Sequence, residues 1–133
     1  MQGFEAVTLS WKGVSYTVPA ERQLRLIAEI EDALADQSGA PAVMVLLRNG
    51  GPSHARLAGA FGAALRYAGA NVTDDEVYLS IIEDLASGDP ATAVKVQDSV
   101  LSLLAIVAPP IHRRITGGDE PEKPEGDARD PAG

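Results

Sequence analysis

Two histidines and one acidic triplet are the side chains whose chemistry suggests a functional site. His54 and His112 are the only histidines, and neither has a second ligand at the spacing of a His-x-x-x-His or His-Glu-x-x-His metal motif. The triplet Asp74-Asp75-Glu76 offers the oxygen ligands that divalent cations prefer. It directly follows Thr73, however, and carboxylates are expected there for capping a helix. The sequence therefore predicts no metal site.

Composition and spacing also argue against other kinds of catalytic site. The chain has no cysteine, which excludes disulfides, thiolate metal sites and thiol nucleophiles. The loop Gly50-Gly51-Pro52-Ser53 lacks the Gly-x-x-x-x-Gly-Lys-Ser/Thr spacing of a phosphate-binding loop. No pairing of a nucleophile with a base can be named from the sequence. We therefore expect a protein that is not an enzyme, with no catalytic residues and no cofactor.

The net charge of the chain is strongly negative. Nineteen acidic and eleven basic residues give −8 over 133 residues. The one basic cluster, Arg113-Arg114, is too small to bind nucleic acid, and the acids of residues 1–116 are spread too thinly for a nucleic-acid mimic. No apolar run approaches the roughly 18 residues of a membrane span, and the N-terminus lacks the blocks of a signal peptide. We expect a soluble intracellular protein that binds neither nucleic acid nor membrane.

The elements that would position any site begin with a β-hairpin. Residues 7–11 and 14–18 alternate apolar and polar side chains, which is the period of a strand. Lys12-Gly13 lies between them, and Gly readily adopts the positive φ of a two-residue turn. In that register the apolar side chains share one face, as the pairs Trp11–Val14, Leu9–Tyr16 and Val7–Val18. We predict a hairpin over residues 5–18, packed on helices through its aromatic side chains.

Four longer segments have the 3.6-residue period of amphipathic helices. They span residues 19–38, 52–68, 73–87 and 89–108. Their apolar stripes are Leu24, Ile27, Ile30 and Leu34; then Leu57, Phe61 and Leu65; then Val77, Tyr78, Ile81, Ile82 and Leu85; and finally Val94, Val100/Leu101, Leu104 and Val107. The run 41–48 fits a short helix or a buried strand, and Pro41 favours the helix. The predicted fold class is α+β, predominantly α-helical: an N-terminal β-hairpin packed on a bundle of four to five helices.

The composition changes at Gly117. Residues 117–133 contain six acidic and two basic residues, four glycines and three prolines, and no apolar residue larger than alanine. Such a segment cannot bury enough apolar surface to offset the entropy lost on ordering. We therefore predict one globular domain over 1–116, made of the hairpin and a helical body over 19–116. A disordered acidic tail over 117–133 follows it.

Small residues in the helix over 52–68 have two interpretations. Gly59, Gly62 and Ala63 lie near one another on a helical surface. A glycine costs about 1 kcal/mol in a helix interior, so two within four residues indicate close approach by a neighbouring element. Tight packing inside the domain is the first interpretation. Self-association through this face, giving a homo-oligomer, is the second.

Four apolar residues outside a clear amphipathic stripe are candidates for partner binding. They lie in the run 43–47 and in a short end segment, residues 111–115, and they are Met44, Leu47, Ile111 and Ile115. A groove between the two segments would accept a partner helix. Alternatively, these residues simply complete the core. Periodicity does not distinguish the two interpretations.

Two parts of the sequence resemble tail assembly chaperones of long-tailed (siphophage-type) phages and prophages. These proteins begin with sequences similar to Glu5-Ala-Val-Thr-Leu-Ser-Trp-Lys-Gly-Val-Ser-Tyr-Thr-Val-Pro-Ala20, followed by Leu24 to Ile30-Glu31-Asp32. Their middle is similar to Gly62-Ala-Ala-Leu-Arg-Tyr-Ala-Gly-Ala-Asn-Val-Thr-Asp-Asp-Glu-Val-Tyr78. The matching parts cover about a third of the chain in the same order. Residues 37–53 depart from the family pattern.

The resemblance implies a non-enzymatic protein of the host cell cytoplasm, encoded among phage tail genes. Such chaperones bind the long helical tape measure protein and keep it soluble while tail tube subunits assemble around it. They are absent from the mature virion. The expected partner is the tape measure protein, with tail tube subunits as further candidates. The alternative function is a small acidic helical adaptor or protein-binding module without a phage role.

Overall fold

The computed structural model describes residues 6–116, so the acidic tail predicted over 117–133 lies outside the described residues. Within the described range a two-stranded hairpin is followed by a 3-10 turn and six α-helices. The elements are β1 Val7–Trp11, β2 Val14–Val18, the turn Ala20–Arg22, α1 Gln23–Leu34, α2 Ala42–Leu47, α3 His54–Tyr67, α4 Asp74–Ser87, α5 Ala91–Val107 and α6 Pro109–Thr116. The predicted fold class, predominantly helical with an N-terminal hairpin, is confirmed.

The hairpin has the predicted register and turn. Strands β1 and β2 are antiparallel, and the three predicted apolar pairs lie opposite one another. Lys12 and Gly13 have φ values of 50° and 82°, as required by the two-residue turn that matches the twist of paired strands. The register therefore follows from the side-chain alternation and one glycine.

Burial of the hairpin face is uneven. Leu9 and Val18 are fully buried in the core, while Trp11 and Tyr16 are half-buried against it. Val14, beside the turn, is exposed. The hairpin therefore packs on the helices through aliphatic side chains as well as through the two aromatic ones.

Helix α3 lies between α1 and α4 and packs on both. Residues on all sides of it are buried: Leu57, Ala58, Ala60, Phe61, Gly62, Ala63, Ala64 and Leu65. Helix α5 contacts α1, α2, α3 and β1, and it contributes Leu103, Leu104 and Ile106 to the core. The core therefore surrounds α3 and the C-terminal half of α5.

The predicted core face of α1 is wrong at one position. Leu24 is 70% exposed, whereas Leu26 is fully buried with Ile30 and Leu34. Residues two positions apart lie about 200° apart around a helix, so Leu24 and Leu26 fall on opposite edges of one apolar stripe. The position of the neighbouring helices determines which leucine is buried.

The ambiguous run 41–48 is helical. Pro41 precedes α2, and the Glu31 carboxylate accepts a hydrogen bond from the Ala42 N–H at 2.9 Å. This contact gives a partner to one of the N–H groups that a helix start leaves free. Residues 109–116, described above only as a short end segment, form a further helix, α6, which packs on α5.

Helices α4 and α5 differ most from the predicted core. Val77 is the one buried residue of α4, whereas Tyr78, Ile82 and Leu85 are exposed. On α5, Val94 is exposed, and Val100, Leu101 and Val107 are only partly buried. The four exposed residues belong to the predicted apolar stripes but lie outside the core, because a helical period shows that side chains share a face and not that another element covers it.

Candidate functional site

The acidic triplet is used for capping and for packing. Thr73 Oγ1 accepts from the Glu76 N–H at 3.1 Å, and Glu76 Oε1 accepts from the Thr73 N–H at 2.8 Å, which is the predicted capping box. Asp74 Oδ1 accepts from Arg66 Nη1 at 2.8 Å. Within residues 6–116, no group of three or more histidine or carboxylate side chains is placed to hold a metal ion.

The two histidines lie on different helices. His54 is the first residue of α3 and is exposed, and His112 is half-buried on α6. No hydrogen bond within the described residues joins either imidazole to a carboxylate or a hydroxyl group. The geometry therefore offers no orienting partner of the kind that a catalytic histidine uses.

The small residues of α3 face other helices of the same chain. A Cβ added at Gly62 would clash with Asp74 Oδ1, whereas one at Gly59 would lie 3.8 Å from the Ala33 Cβ. Ala63 is also buried. Close packing inside the chain therefore accounts for Gly62 and Ala63, while self-association through Gly59, Gly62 and Ala63 stays a prediction.

The four predicted partner-binding residues lie on two separate helices. Met44 and Leu47 are exposed on α2; on α6, Ile115 is exposed and Ile111 is half-buried. Both helices pack on α5. The residues are thus largely available to a partner, and a shared groove between the two helices stays a prediction.

A row of exposed apolar side chains on α4 is the feature that sequence reasoning missed. Tyr78, Ile82 and Leu85 are 39%, 36% and 43% exposed. Their spacing, i, i+4 and i+7, places them on one face of the helix. We call these three residues the exposed stripe. Their spacing placed them in a predicted apolar stripe, but the helical period does not show whether another element covers that stripe.

The charge around the exposed stripe is concentrated. Residues 74–98, which we call the acidic segment, contain seven acidic residues and one lysine, a net charge of −6; residues 1–73 have six of each sign. The expectation that the acids of residues 1–116 are spread thinly is therefore wrong. This clustering was the sequence signal that could have identified the surface.

Polar contacts join the two helices of the acidic segment. Thr92 Oγ1 donates to the Asp84 carbonyl at 2.9 Å, and Lys95 Nζ lies 3.8 Å from Asp84 Oδ2. Gly88 ends α4 with a φ of 71°, a conformation that glycine adopts without strain. The segment is therefore a defined helical pair despite its small buried core.

An open groove of about 490 Å³ lies between the hairpin turn and this helical pair. Trp11 and Lys12 line it from the turn, with Ile81 on α4 and Val96 on α5. Lys12 Nζ is 5.5 Å from the centroid of the Trp11 ring, within the range of a cation–π contact. The groove extends the partly apolar, acidic surface from α4 to the hairpin.

Within residues 6–116, the carboxyl group with a strongly shifted pKa lies away from this surface. Asp36, in the loop between α1 and α2, accepts hydrogen bonds from the Ser38 hydroxyl and N–H and pairs with Arg48 at 2.8 Å. These contacts, the Ser38 hydroxyl first, lower the pKa of Asp36 to about 2. The shift stabilises a loop and marks no reactive group.

Comparisons with protein-family models, with curated proteins and with solved structures gave no match to the chain. No helix within residues 6–116 is long and apolar enough to cross a bilayer. What the arrangement can do follows from its residues: it presents apolar side chains among carboxylates, which suits contact with another protein.

Proposed function

We propose that this chain is a phage tail assembly chaperone, a non-enzymatic protein that binds the tape measure protein and keeps it soluble during tail assembly. The observation that carries the proposal is the exposed stripe within the acidic segment. A chaperone that holds a client needs apolar surface for contact and net charge to keep the complex soluble. This chain combines both on one pair of helices.

The parts of the chain that resemble the chaperone family support the proposal by their position. Residues 5–20 include the hairpin, and residues 62–78 join the C-terminal half of α3 to the capped start of α4. The second part contains Gly62 and Asp74, which set how closely α3 and α4 approach. The resemblance thus covers residues that position α4 and its exposed stripe.

The client contacts proposed from the sequence are Met44, Leu47, Ile111 and Ile115. Leu47 on α2 and Ile115 on α6 are exposed and test one residue on each helix. A lysine at either position would place charge against an apolar client without disturbing the core. Leu24→Lys is the matched control, since Leu24 is equally apolar and more exposed, but lies on α1.

Coexpression with the tape measure protein of the same tail gene cluster tests the proposal. The client should become soluble and copurify with the chain. Leu47→Lys and Ile115→Lys should reduce the copurified client, while Leu24→Lys should not. A client that is equally soluble when expressed alone would overturn the proposed function. Capture should persist at moderate salt, because apolar burial is not screened as exposed charge pairs are.

A further inference from the structure

We propose that the exposed stripe docks a basic amphipathic helix of a partner protein, with the carboxylates of the acidic segment pairing with that helix's lysines and arginines. The inference goes beyond the proposed function because it assigns the surface and the partner's charge. It does not depend on the tape measure protein being the partner.

Three large apolar side chains form a row on the surface of α4. Isolated exposed hydrophobic residues are ordinary on a protein surface. Tyr78, Ile82 and Leu85 instead cover two turns of one helical face. A partner helix with apolar side chains at the same spacing would pack along this row, as amphipathic helices do in helix–groove recognition.

The acidic segment contains more carboxylates than cations. Within residues 6–116, two of the seven acids in the acidic segment form ion pairs, Asp74 with Arg66 and Asp84 with Lys95. The other five form none in that part of the chain. Asp75 precedes Tyr78 by three residues and therefore lies beside the stripe. A partner with basic residues flanking its apolar face would complement this surface.

Charge also argues against the two occupants that the chain itself could supply. A second copy would place one net charge of −6 against another, and like charges at an interface oppose association. Residues 117–133 carry a net charge of −4 and no apolar residue larger than alanine. Neither occupant offers both the apolar contacts and the positive charge that the surface lacks.

Two synthetic helical peptides serve as probes for the full chain. Both have three heptads with leucine at a and d; one has lysine and the other glutamate at e and g. In isothermal titration calorimetry the basic peptide should bind and the acidic peptide should not. Binding should weaken as salt rises without being abolished. Equal binding of the two peptides would overturn the proposal.

The variant Ile82→Ala/Leu85→Ala tests the stripe. It should weaken binding of the basic peptide about tenfold or more, as expected when central apolar anchors are truncated. Leu24→Ala is the matched control on α1, where the leucine is also exposed, and should leave the affinity unchanged. The proposal fails if the first variant binds like the unmodified chain, or if the control loses affinity instead.

A charge variant keeps the test decisive if the stripe variant folds poorly. Asp75→Asn/Glu83→Gln changes two exposed residues, and it should weaken binding of the basic peptide and reduce its salt dependence. Unchanged affinity and salt dependence would contradict the proposal.

Sedimentation velocity should show a monomer; a dimer abolished by Ile82→Ala/Leu85→Ala would assign the stripe to a second copy and overturn the proposal.

The peptide and coexpression experiments distinguish failure of the docking site from failure of the proposed function. If the chain binds the basic peptide but does not solubilise the tape measure protein, the proposed docking site stands and the proposed function is overturned. If the chain solubilises the client but binds neither peptide, the proposed function stands and the docking site is overturned.

Discussion

Helices α3 and α4 have the same length and opposite surroundings. Each has 14 residues; eight are buried in α3 and one in α4. Five of the eight buried residues of α3 are alanine or glycine, whereas α4 exposes the large apolar side chains Tyr78, Ile82 and Leu85. The hydrophobicity of the side chains therefore does not predict which of the two helices is buried. What differs is how many neighbouring elements approach each helix.

The difference follows from side-chain size. Small residues let neighbouring backbones come close, so α3 is enclosed by α1 on one side and by α4 on another. Helix α4 contacts α3 along one face, and its exposed stripe lies outside that contact. Its large apolar side chains are then available to a partner, which the acidic segment would select by charge.

The largest expected effect is on stability, and it comes from making the same leucine-to-alanine substitution in both helices. Leu65→Ala in α3 should reduce the free energy of unfolding by about 2–5 kcal/mol, because it opens a cavity at a fully buried position. Leu85→Ala in α4 should reduce it by less than about 1 kcal/mol, because the side chain is 43% exposed. Urea denaturation of the two variants measures both values. Similar losses would mean that α4 is covered.

Much of this architecture could be predicted from local sequence. The hairpin register followed from alternation and Gly13, and the start of α4 followed from Thr73 and Glu76. These features depend on residues within a few positions of one another. Which face is covered depends on distant elements, so the predicted stripe of α1 included the exposed Leu24 and not the buried Leu26, and the predicted stripe of α4 included three exposed residues.

The candidate site was less predictable for the same reason. Met44 and Leu47 were selected because they lie outside an amphipathic stripe, and they are exposed. The residues of the exposed stripe were passed over because they fit a helical period well. Charge distribution along the chain carried the missing information, since residues 74–98 stand out from the balanced residues before them.

A smaller effect tests the close approach of α3 to α4. Gly62→Ala should destabilise the chain by about 1 kcal/mol, because the new Cβ would displace the Asp74 carboxylate from Arg66. Gly59→Ala should instead stabilise it by up to about 1 kcal/mol, because its Cβ would meet only ordinary contacts and alanine favours the helix. Thermal denaturation compares the two. Effects of the same sign would show that the helices are not in close contact at Gly62.

The smallest expected effect is on the pH dependence of stability. It concerns Asp36, a carboxylate that has partners, in contrast to the carboxylates of the acidic segment that form no ion pair within residues 6–116. Asp36 lies in the charge-balanced part of the chain, and its contacts with Ser38 and Arg48 lower its pKa from 3.8 to about 2. Because the folded pKa lies below the unfolded value, its stabilising contribution is present above pH 3.8 and is lost as the pH falls through about 2. Asp36→Asn should therefore reduce the fall in unfolding free energy across this pH range.

The causes of the lowered pKa give that prediction its control. The Ser38 hydroxyl is the largest single cause of the lowered pKa, and Arg48 contributes through both a hydrogen bond and its charge, so Ser38→Ala and Arg48→Gln should each raise the pKa of Asp36. NMR titration of the Asp36 carboxyl carbon measures both shifts. A larger shift in Arg48→Gln would make the ion pair the main cause. The loop would then depend on opposite charge, the kind of partner that five carboxylates of the acidic segment lack within residues 6–116 and that the proposed basic helix would supply.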